Sequence, residues 1–169
     1  MEDQIINKVA DSGLVTIDLE EYYQEGVRSS IDISEQLFEG LLLREKDFRA
    51  FVKEHDWSKY NNHFVNFYCT TDAIIPQWAW MLLASAIQPY AKEVVFGTPQ
   101  TLEQVLYRNA IQAIDLDNYK DARVVIKGCS GKPVPTSAYA DLTMLLRPVV
   151  KSIMYGEPCS TVPVYKRKD

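Results

Sequence analysis

The sequence predicts an α/β domain in which a mainly parallel, or mixed, sheet is flanked by helices. Apolar strand-like runs alternate with helical apolar patterns from Phe64 onward, and the connections between them are short. The chain of 169 residues is long enough to bury the core of one domain. The remaining elements are expected to pack around the uncharged run Ala73–Ala91. Its apolar residues lie on most sides of a helix, which places it at the centre of a domain or in an interface.

The first third of the chain carries weaker patterns. Leu37–Leu43 fits either a short strand or a helical turn, because Gly40 interrupts it. Arg44–His55 is predicted to be a surface helix, since Phe48 and Phe51 fall at helical spacing among charged residues. The elements expected before these two are a short helix over Gln4–Ala10, a strand over Leu14–Leu19 and a diluted strand over Val27–Ile33.

The second part alternates clearly between strand and helix patterns. Thr98 is suited to cap the helix that follows it, with Pro99 at the first helical position. Pro148 is expected to kink the last helix, whose apolar spacing continues to Ile153. The predicted elements are strands over Phe64–Tyr68, Lys92–Gly97, Arg123–Lys127 and Thr161–Tyr165, the last one at an edge, and helices over Ile75–Gln88, from Pro99 to Ile114, and from the residue after Pro135 to the break at Gly156–Pro158.

These patterns predict one domain over residues 1–169. No internal repeat, low-complexity segment or linker is apparent in the sequence. In a parallel α/β sheet the crossovers are right-handed and sites form at the carboxyl ends of the strands. We therefore expect functional groups in the loops that follow the strands.

Composition and charge narrow the class of protein. The apolar fraction of 47% and the charged fraction of 24% are ordinary for a globular protein. A net charge of −5 argues against a general nucleic-acid binder, which needs a basic surface. The basic run Lys166–Lys168 is interpreted as a solvated tail.

The expected location is the cytoplasm. The acidic N-terminus is not followed by a long apolar segment, as a signal peptide would require. Within Ala73–Ala91 the strongly apolar part is well short of the roughly 20 residues that span a bilayer, so no membrane association is expected. Three widely spaced cysteines do not form the disulfide framework of a secreted domain.

The cysteines are the candidate metal ligands. Cys69 and Cys129 each follow a buried-looking strand and precede a polar turn that leads into a helix. Parallel strands in one sheet would bring both thiols to one edge, where helix N-termini favour the thiolate. Cys159 would join them only if the last strand were antiparallel or its loop folded back. Three thiolates with a fourth ligand suit zinc or an iron–sulfur cluster. The candidate fourth ligands are Asp72, His63 and an exogenous group.

The loop after the predicted strand Arg123–Lys127 is a candidate anion site. Gly128, Ser130, Gly131 and Lys132 supply the small residues and the positive charge of a backbone anion nest. The spacing is not that of a Walker A motif.

Each of these patterns also has a purely structural interpretation. A cysteine at the end of a strand is often a small core residue, and the sequence contains no CxxC pair. His55 and His63 have no Ser or Asp at the spacing of a catalytic triad, so no reaction is assigned and enzyme activity is left open. Trp78 and Trp80 are interpreted as core and interface packing.

Several segments resemble an uncharacterised bacterial family, domain of unknown function 2480. The resemblance covers essentially the whole chain, in agreement with one domain, and all three cysteines lie in or beside the matching segments. They are Gln36–Gly40, Leu43–Arg49, Asp72–Ala79, Val125–Ser130, Pro133–Pro135 and Gly156–Pro163.

The family has no assigned activity, so the resemblance implies no catalytic residue. It does imply an association with iron–sulfur assembly, because genes of the family neighbour iron–sulfur assembly genes. Iron–sulfur assembly proteins are therefore expected partners.

Two hypotheses follow. The first is a cytoplasmic metal–thiolate protein, accessory to iron–sulfur assembly, with Cys69, Cys129 and Cys159 as ligands or sulfur carriers. The alternative is a non-enzymatic homo-oligomeric or partner-binding module in which the cysteines are structural and the uncharged helix carries the assembly. Anion binding at residues 128–132 is compatible with both.

Overall fold

The computed structural model describes residues 13–128 and 131–168, which form strands and helices in the alternating order of an α/β protein. The predicted fold class is confirmed. The strands are β1 (Leu14–Asp18), β2 (Arg28–Asp32), β3 (Phe64–Tyr68), β4 (Glu93–Phe96), β5 (Arg123–Lys127), β6 (Ser152–Glu157) and β7 (Ser160–Lys166). The helices are α1 (Glu45–Glu54), α2 (Gln77–Ile87), α3 (Pro99–Gln112) and α4 (Thr136–Leu146).

The strands belong to two sheets, one in each of two compact units. Of the described residues, those within Met1–Gln24 and Leu106–Asp169 form the first unit, and Glu25–Val105 forms the second. The second unit is therefore an insertion within the chain of the first. Compactness alone does not show whether either unit folds by itself, so the expectation of one domain stays a prediction.

The sheet of the first unit is mixed and has the order β1-β5-β6-β7. The strands β1, β5 and β6 are parallel, whereas β7 runs antiparallel to β6 and lies at the edge. Val124 and Ile126 of β5 pack with Leu142 and Leu146 of α4 in a fully buried cluster. This arrangement puts the carboxyl ends of β1, β5 and β6 at one edge of the sheet.

The sheet of the second unit is parallel throughout and has the order β2-β3-β4. Val65 and Phe67 of β3 pack with Phe48 of α1 and Leu83 of α2. The uncharged helix α2 is covered on most sides, as its apolar residues require, although Met81 is exposed. The prediction that this helix is central is confirmed for its own unit.

The predicted long helix that follows Pro135 is wrong at its C-terminal end. Helix α4 ends at Leu146, and Ile153 lies in β6. Arg147 keeps helical backbone, with φ −48° and ψ −40°, but Pro148 has no N–H to continue the helical hydrogen bonds, and β6 gains a parallel ladder with β5. Helical spacing of isoleucine and valine did not distinguish these two outcomes.

The bounds of the other strands and helices predicted within the described residues agree closely with the structure. Thr98 caps α3 through its Oγ1, which accepts the N–H of Thr101 at 3.3 Å. The ambiguous segment Leu37–Leu43 is neither helix nor regular strand and contributes two isolated bridges, Phe38–Leu42 and Leu42–Ile74. The helix expected over Gln4–Ala10 lies outside the described residues.

The two units repeat the same order of elements, contrary to the expectation of no internal repeat. Each has a strand, a one-turn 3-10 helix, helical residues, a second 3-10 helix and then a strand, a helix and a strand. The helical residues of the first unit are the part of α3 from Leu106 onward, and those of the second unit are α1. The matching parts from the second 3-10 helix onward are 59 positions apart. Phe64 pairs with Glu93, and Arg123 pairs with Ser152.

Hydrogen bonds just before the matching strands follow the same repeat. The N–H of Lys92 donates to His63 O, and that of Lys151 donates to Ala122 O, both at 2.8 Å. The second 3-10 helices begin after Asp56 and Asp115, whose carboxylates accept the N–H two residues on. The chain therefore contains one architecture twice, and β7 is an addition to the first unit.

Candidate functional site

An ion-pair ladder crosses the carboxyl edge of the four-stranded sheet. Lys127 Nζ lies 3.4 Å from Asp18 Oδ2 and 3.9 Å from Glu157 Oε1. The three residues end the adjacent strands β5, β1 and β6. The hydrogen bond to Asp18, followed by the charge of Glu157, raises the pKa of Lys127. The protonated side chain of Lys127 therefore lies between two carboxylates at this edge of the sheet.

The loop that follows β5 begins with a close approach between backbone and side chains. Tyr139 donates its hydroxyl to Gly128 O at 2.7 Å. A Cβ atom at position 128 would lie 3.0 Å from both Leu19 Cβ and Tyr139 Oη. Only glycine fits without a shift of these neighbours, so this part of the loop is fixed by packing.

The next described residues of the loop contact an acidic side chain of the same chain. Gly131 N–H donates to Glu20 Oε1 at 2.9 Å, and Lys132 Nζ lies 4.5 Å from the centre of the Tyr23 ring. Ser130 and Cys129 lie outside the described residues. An external anion would have to displace Glu20 from the N–H of Gly131. The predicted anion site at Gly128, Ser130, Gly131 and Lys132 stays a prediction.

The second unit ties the corresponding loop to a carboxylate as well. Thr70 donates its hydroxyl to Asp32 Oδ2 at 2.6 Å and its N–H to Asp32 Oδ1 at 3.2 Å. Burial alone would raise the pKa of Asp32, but these bonds and those from Ser34 outweigh it and hold the pKa below its ordinary value. In both units a carboxylate at or just after the first strand thus holds the loop that follows the central strand.

The cysteines do not occupy matching places in one sheet. The strands before Cys69 and Cys129 are β3 and β5, which belong to different sheets, so the argument that puts both thiols on one sheet edge is wrong. Counted along the repeat, Gly128 and not Cys129 is the counterpart of Cys69. The half-buried Cys69 donates its thiol to Thr71 O at 3.4 Å.

Cys159 lies in the tight turn between β6 and β7 and is exposed. Because β7 is antiparallel to β6, this turn is at the same sheet edge as Lys127 and Gly128. Among the described residues no group of three His, Cys, Asp or Glu side chains is placed to hold a metal. The ligand set Cys69, Cys129 and Cys159 stays a prediction, since Cys129 is not described.

The fourth-ligand candidates have different surroundings. His63 Nδ1 is hydrogen-bonded to Ser29 Oγ at 2.9 Å, which orients its ring. Asp72 lies in the loop between β3 and α2. Both belong to the second unit, as Cys69 does.

A solvent-open apolar groove lies between α4 and the β6–β7 hairpin. Its volume is about 460 Å³, and its wall includes Ile126, Tyr139, Met144, Tyr155 and Val164. Met144 is 65% exposed and Val164 is 53% exposed. A groove of this size and composition accepts an apolar side chain or small ligand. The sequence prediction missed it because it placed Met154 and Tyr155 at the end of a helix.

The second unit has larger rings at the equivalent positions. Trp80 is the counterpart of Tyr139, and it stacks on Phe67 at 5.9 Å and meets Phe96 edge-on at 5.0 Å between ring centres. In the first unit the corresponding residues are Ile126, Tyr139 and Tyr155. The groove is therefore a difference between two repeats of one architecture.

None of the helices among the described residues is both long and apolar enough to span a bilayer. A family model described as a protein of unknown function, DUF2480, matches residues 3–167 of the chain. No curated protein and no solved structure matches.

Proposed function

We propose, from the premise that the chain belongs to the DUF2480 family of proteins of unknown function, that it is a protein-binding accessory module for iron–sulfur assembly in the cytoplasm. The observation that carries the proposal is the apolar groove between α4 and the β6–β7 hairpin. A partner would insert an apolar side chain between Met144 and Val164. Burial of such a side chain contributes about 1.5–3 kcal/mol, enough to anchor a transient complex.

The composition of the groove supports a protein partner. Tyr139 uses its hydroxyl on Gly128 O, and Thr143 uses its own on Tyr139 O. These two hydroxyls on the wall are thus engaged within the first unit, and most of the lining residues are apolar, so an apolar occupant is favoured over a polar metabolite. The iron–sulfur context comes from the gene association implied by the family.

Cys159 supports the same process. It is exposed on the turn of the hairpin that supplies Tyr155 and Val164 to the groove. A partner held in the groove would therefore lie against the hairpin that carries an accessible thiol. Thiols are the groups through which sulfur and thiophilic metals pass between proteins.

The test measures binding to purified iron–sulfur assembly proteins of the same organism, one at a time, by isothermal titration. Met144→Asp should abolish binding because it puts a carboxylate in the groove. Met81→Asp is the matched control, since Met81 is 71% exposed in the second unit and should leave binding unchanged. Equal affinities for both variants, or no binding by the unmodified protein, would refute the proposal.

A metal–thiolate function with Cys69, Cys129 and Cys159 is the second candidate. It is favoured by the position of Cys159 at the sheet edge from which the loop starting at Gly128 leaves, where Lys127 and Glu157 are 3.9 Å apart. Zinc or an iron–sulfur cluster would be the bound group.

Elemental analysis and a visible spectrum of protein purified without oxygen test this candidate. Near-stoichiometric zinc or iron, lost in Cys129→Ser and Cys159→Ser, is the expected result. Because Cys69 lies in the other unit, Cys69→Ser distinguishes a three-cysteine site from one confined to the first unit. A metal-free protein would refute this candidate, and protein binding would be the remaining proposed function.

A further inference from the structure

The repeat reveals a difference at the edges of the two sheets. In the first unit, β6 is paired on its outer side with β7, an extended segment of the same chain. The counterpart of β6 in the second unit is β4, and among the described residues β3 is the only strand with which it pairs. One repeat thus covers this edge with a strand and the other does not.

The chain itself diverges at one glycine. Gly97, the residue after β4, is the counterpart of Gly156, which lies near the end of β6. Their φ values are 138° and 116°. After Gly156 the chain turns back as β7, whereas after Gly97 it starts α3 with the Thr98 cap. The segment that could have covered β4 is used for a helix.

The side chain at the end of β4 is apolar and exposed. Phe96 is 61% exposed. Tyr155, the counterpart of Phe96, lies opposite Val162 of β7. In the first unit, Tyr155 and Val162 thus form a cross-strand pair within that unit. The second unit has the counterpart of Tyr155 in Phe96, without a counterpart of Val162 among its described strands.

We propose that the edge of β4 binds an extended segment of a partner protein, added as an antiparallel strand with an aliphatic residue opposite Phe96. Backbone hydrogen bonds would supply the affinity and the position opposite Phe96 the specificity, as in other cases of strand addition. The first unit shows what such a segment looks like, because β7 occupies the equivalent place.

A second copy of this chain is a poorer occupant. Two β4 strands paired about their centre would put Glu93 of each copy opposite Phe96 of the other. That pairing brings a carboxylate against an aromatic ring, whereas β7 puts valine there.

The probe is a peptide with blocked termini and the sequence of residues 160–166, Ser-Thr-Val-Pro-Val-Tyr-Lys. Titration into the isotope-labelled full chain, followed by NMR, should give saturable shifts of the backbone amides of Glu93–Phe96. Phe96→Lys in the protein, or lysine in place of Val162 in the peptide, should weaken binding about tenfold or more.

Matched variants separate this surface from the groove. Val164→Lys and Met144→Asp alter the first unit and should leave peptide affinity unchanged, so the proposal survives even if the groove has no partner. Shifts confined to β6 and β7, or no saturable shift, would overturn it. Dimerisation through β4 in light scattering, lost in Phe96→Lys, would also overturn it, because the occupant would then be a second copy.

Discussion

Asn62 and Asp121 occupy the same turn in the two repeats and have nearly the same backbone. Their φ values are 61° and 57°, and their N–H groups donate to Tyr90 O and Val149 O, each at 2.9 Å. Left-handed backbone is disfavoured for residues with a side chain, and asparagine and aspartate tolerate it best. Both repeats thus place a tolerant residue in the turn just before the central strand.

Asn62→Ala should lower the free energy of unfolding by about 1 kcal/mol, because alanine in left-handed backbone lacks the local hydrogen bonding of asparagine. Asn62→Gly should stay within a few tenths of a kcal/mol. Urea unfolding measures both. Asn61→Ala is the control, since Asn61 has a φ of −57°, and a loss there as large as at position 62 would contradict the argument.

The elements that the sequence predicted well have one unambiguous pattern. Phe64–Tyr68 and Arg123–Lys127 are compact apolar runs bounded by polar residues, and both strands have the predicted bounds. The segment around Ile153 failed because its apolar spacing fits a helix, while its pairing with β5 depends on residues far away in the chain. Pairing between distant strands has no local signal.

The repeat escaped the sequence analysis because it is interrupted and diverged. The second unit is inserted into the first, so the first strand of each repeat is separated from its partners by a different length of chain. Identities remain where the backbone requires them, as at Pro76 and Pro135 before the helices and at Gly97 and Gly156 after the last parallel strands. These few positions become meaningful only once the elements are aligned.

The site was predicted in part for a similar reason. The loop after β5 does lie at the carboxyl edge of parallel strands, but its carboxylate partner Glu20 is remote in sequence. The groove has walls from α4, β6 and β7, and it depends on the pairing of β7 with β6, which has no local signal in the sequence. Cysteine spacing could not tell which of the two sheets each strand joins.

Asn66→Val should lower the free energy of unfolding by about 1–3 kcal/mol. The fully buried Asn66 accepts a bond from Ser30 Oγ at 2.8 Å and donates to Gly97 O at 2.9 Å, so valine at this position removes two hydrogen bonds, one of them to the half-buried Gly97. Ser30→Ala should cost less, because Asn66 keeps its bond to Gly97. Urea unfolding of both variants checks the order, and equal losses would contradict it.

Acidification should destabilise the second unit through His55. Burial, followed by the charge of Lys59, lowers the pKa of His55, although Asp56 opposes the shift. Its ring lies 4.4 Å from that of Trp57 and stacks on Tyr60. Because the folded pKa is below the unfolded value of about 6.5, the stabilisation is complete above that pH and is lost as pH falls toward the folded pKa.

Urea unfolding followed by tryptophan fluorescence, repeated from neutral pH downward, measures this loss. The chain has two histidines, so the experiment is done in a His63→Gln background, where His55 is the only one. Replacing His55 with Gln in that background should flatten the profile above about pH 5, where carboxylates are still ionised. An unchanged profile would assign the pH dependence to other groups.

Glu20→Ala should strengthen phosphate binding at the loop that contains Gly131. The Glu20 carboxylate accepts the N–H of Gly131 at 2.9 Å, so its removal frees that donor and also removes a repelling charge.

Lys132→Ala should weaken phosphate binding, because it removes the cation of the loop. Glu21→Ala is the matched control, since Glu21 is exposed and has the same side chain, and should change affinity only through screened charge. Titration with inorganic phosphate, followed through the Gly131 amide by NMR, measures all three, and equal gains for Glu20→Ala and Glu21→Ala would show that net charge and not the freed N–H controls the site.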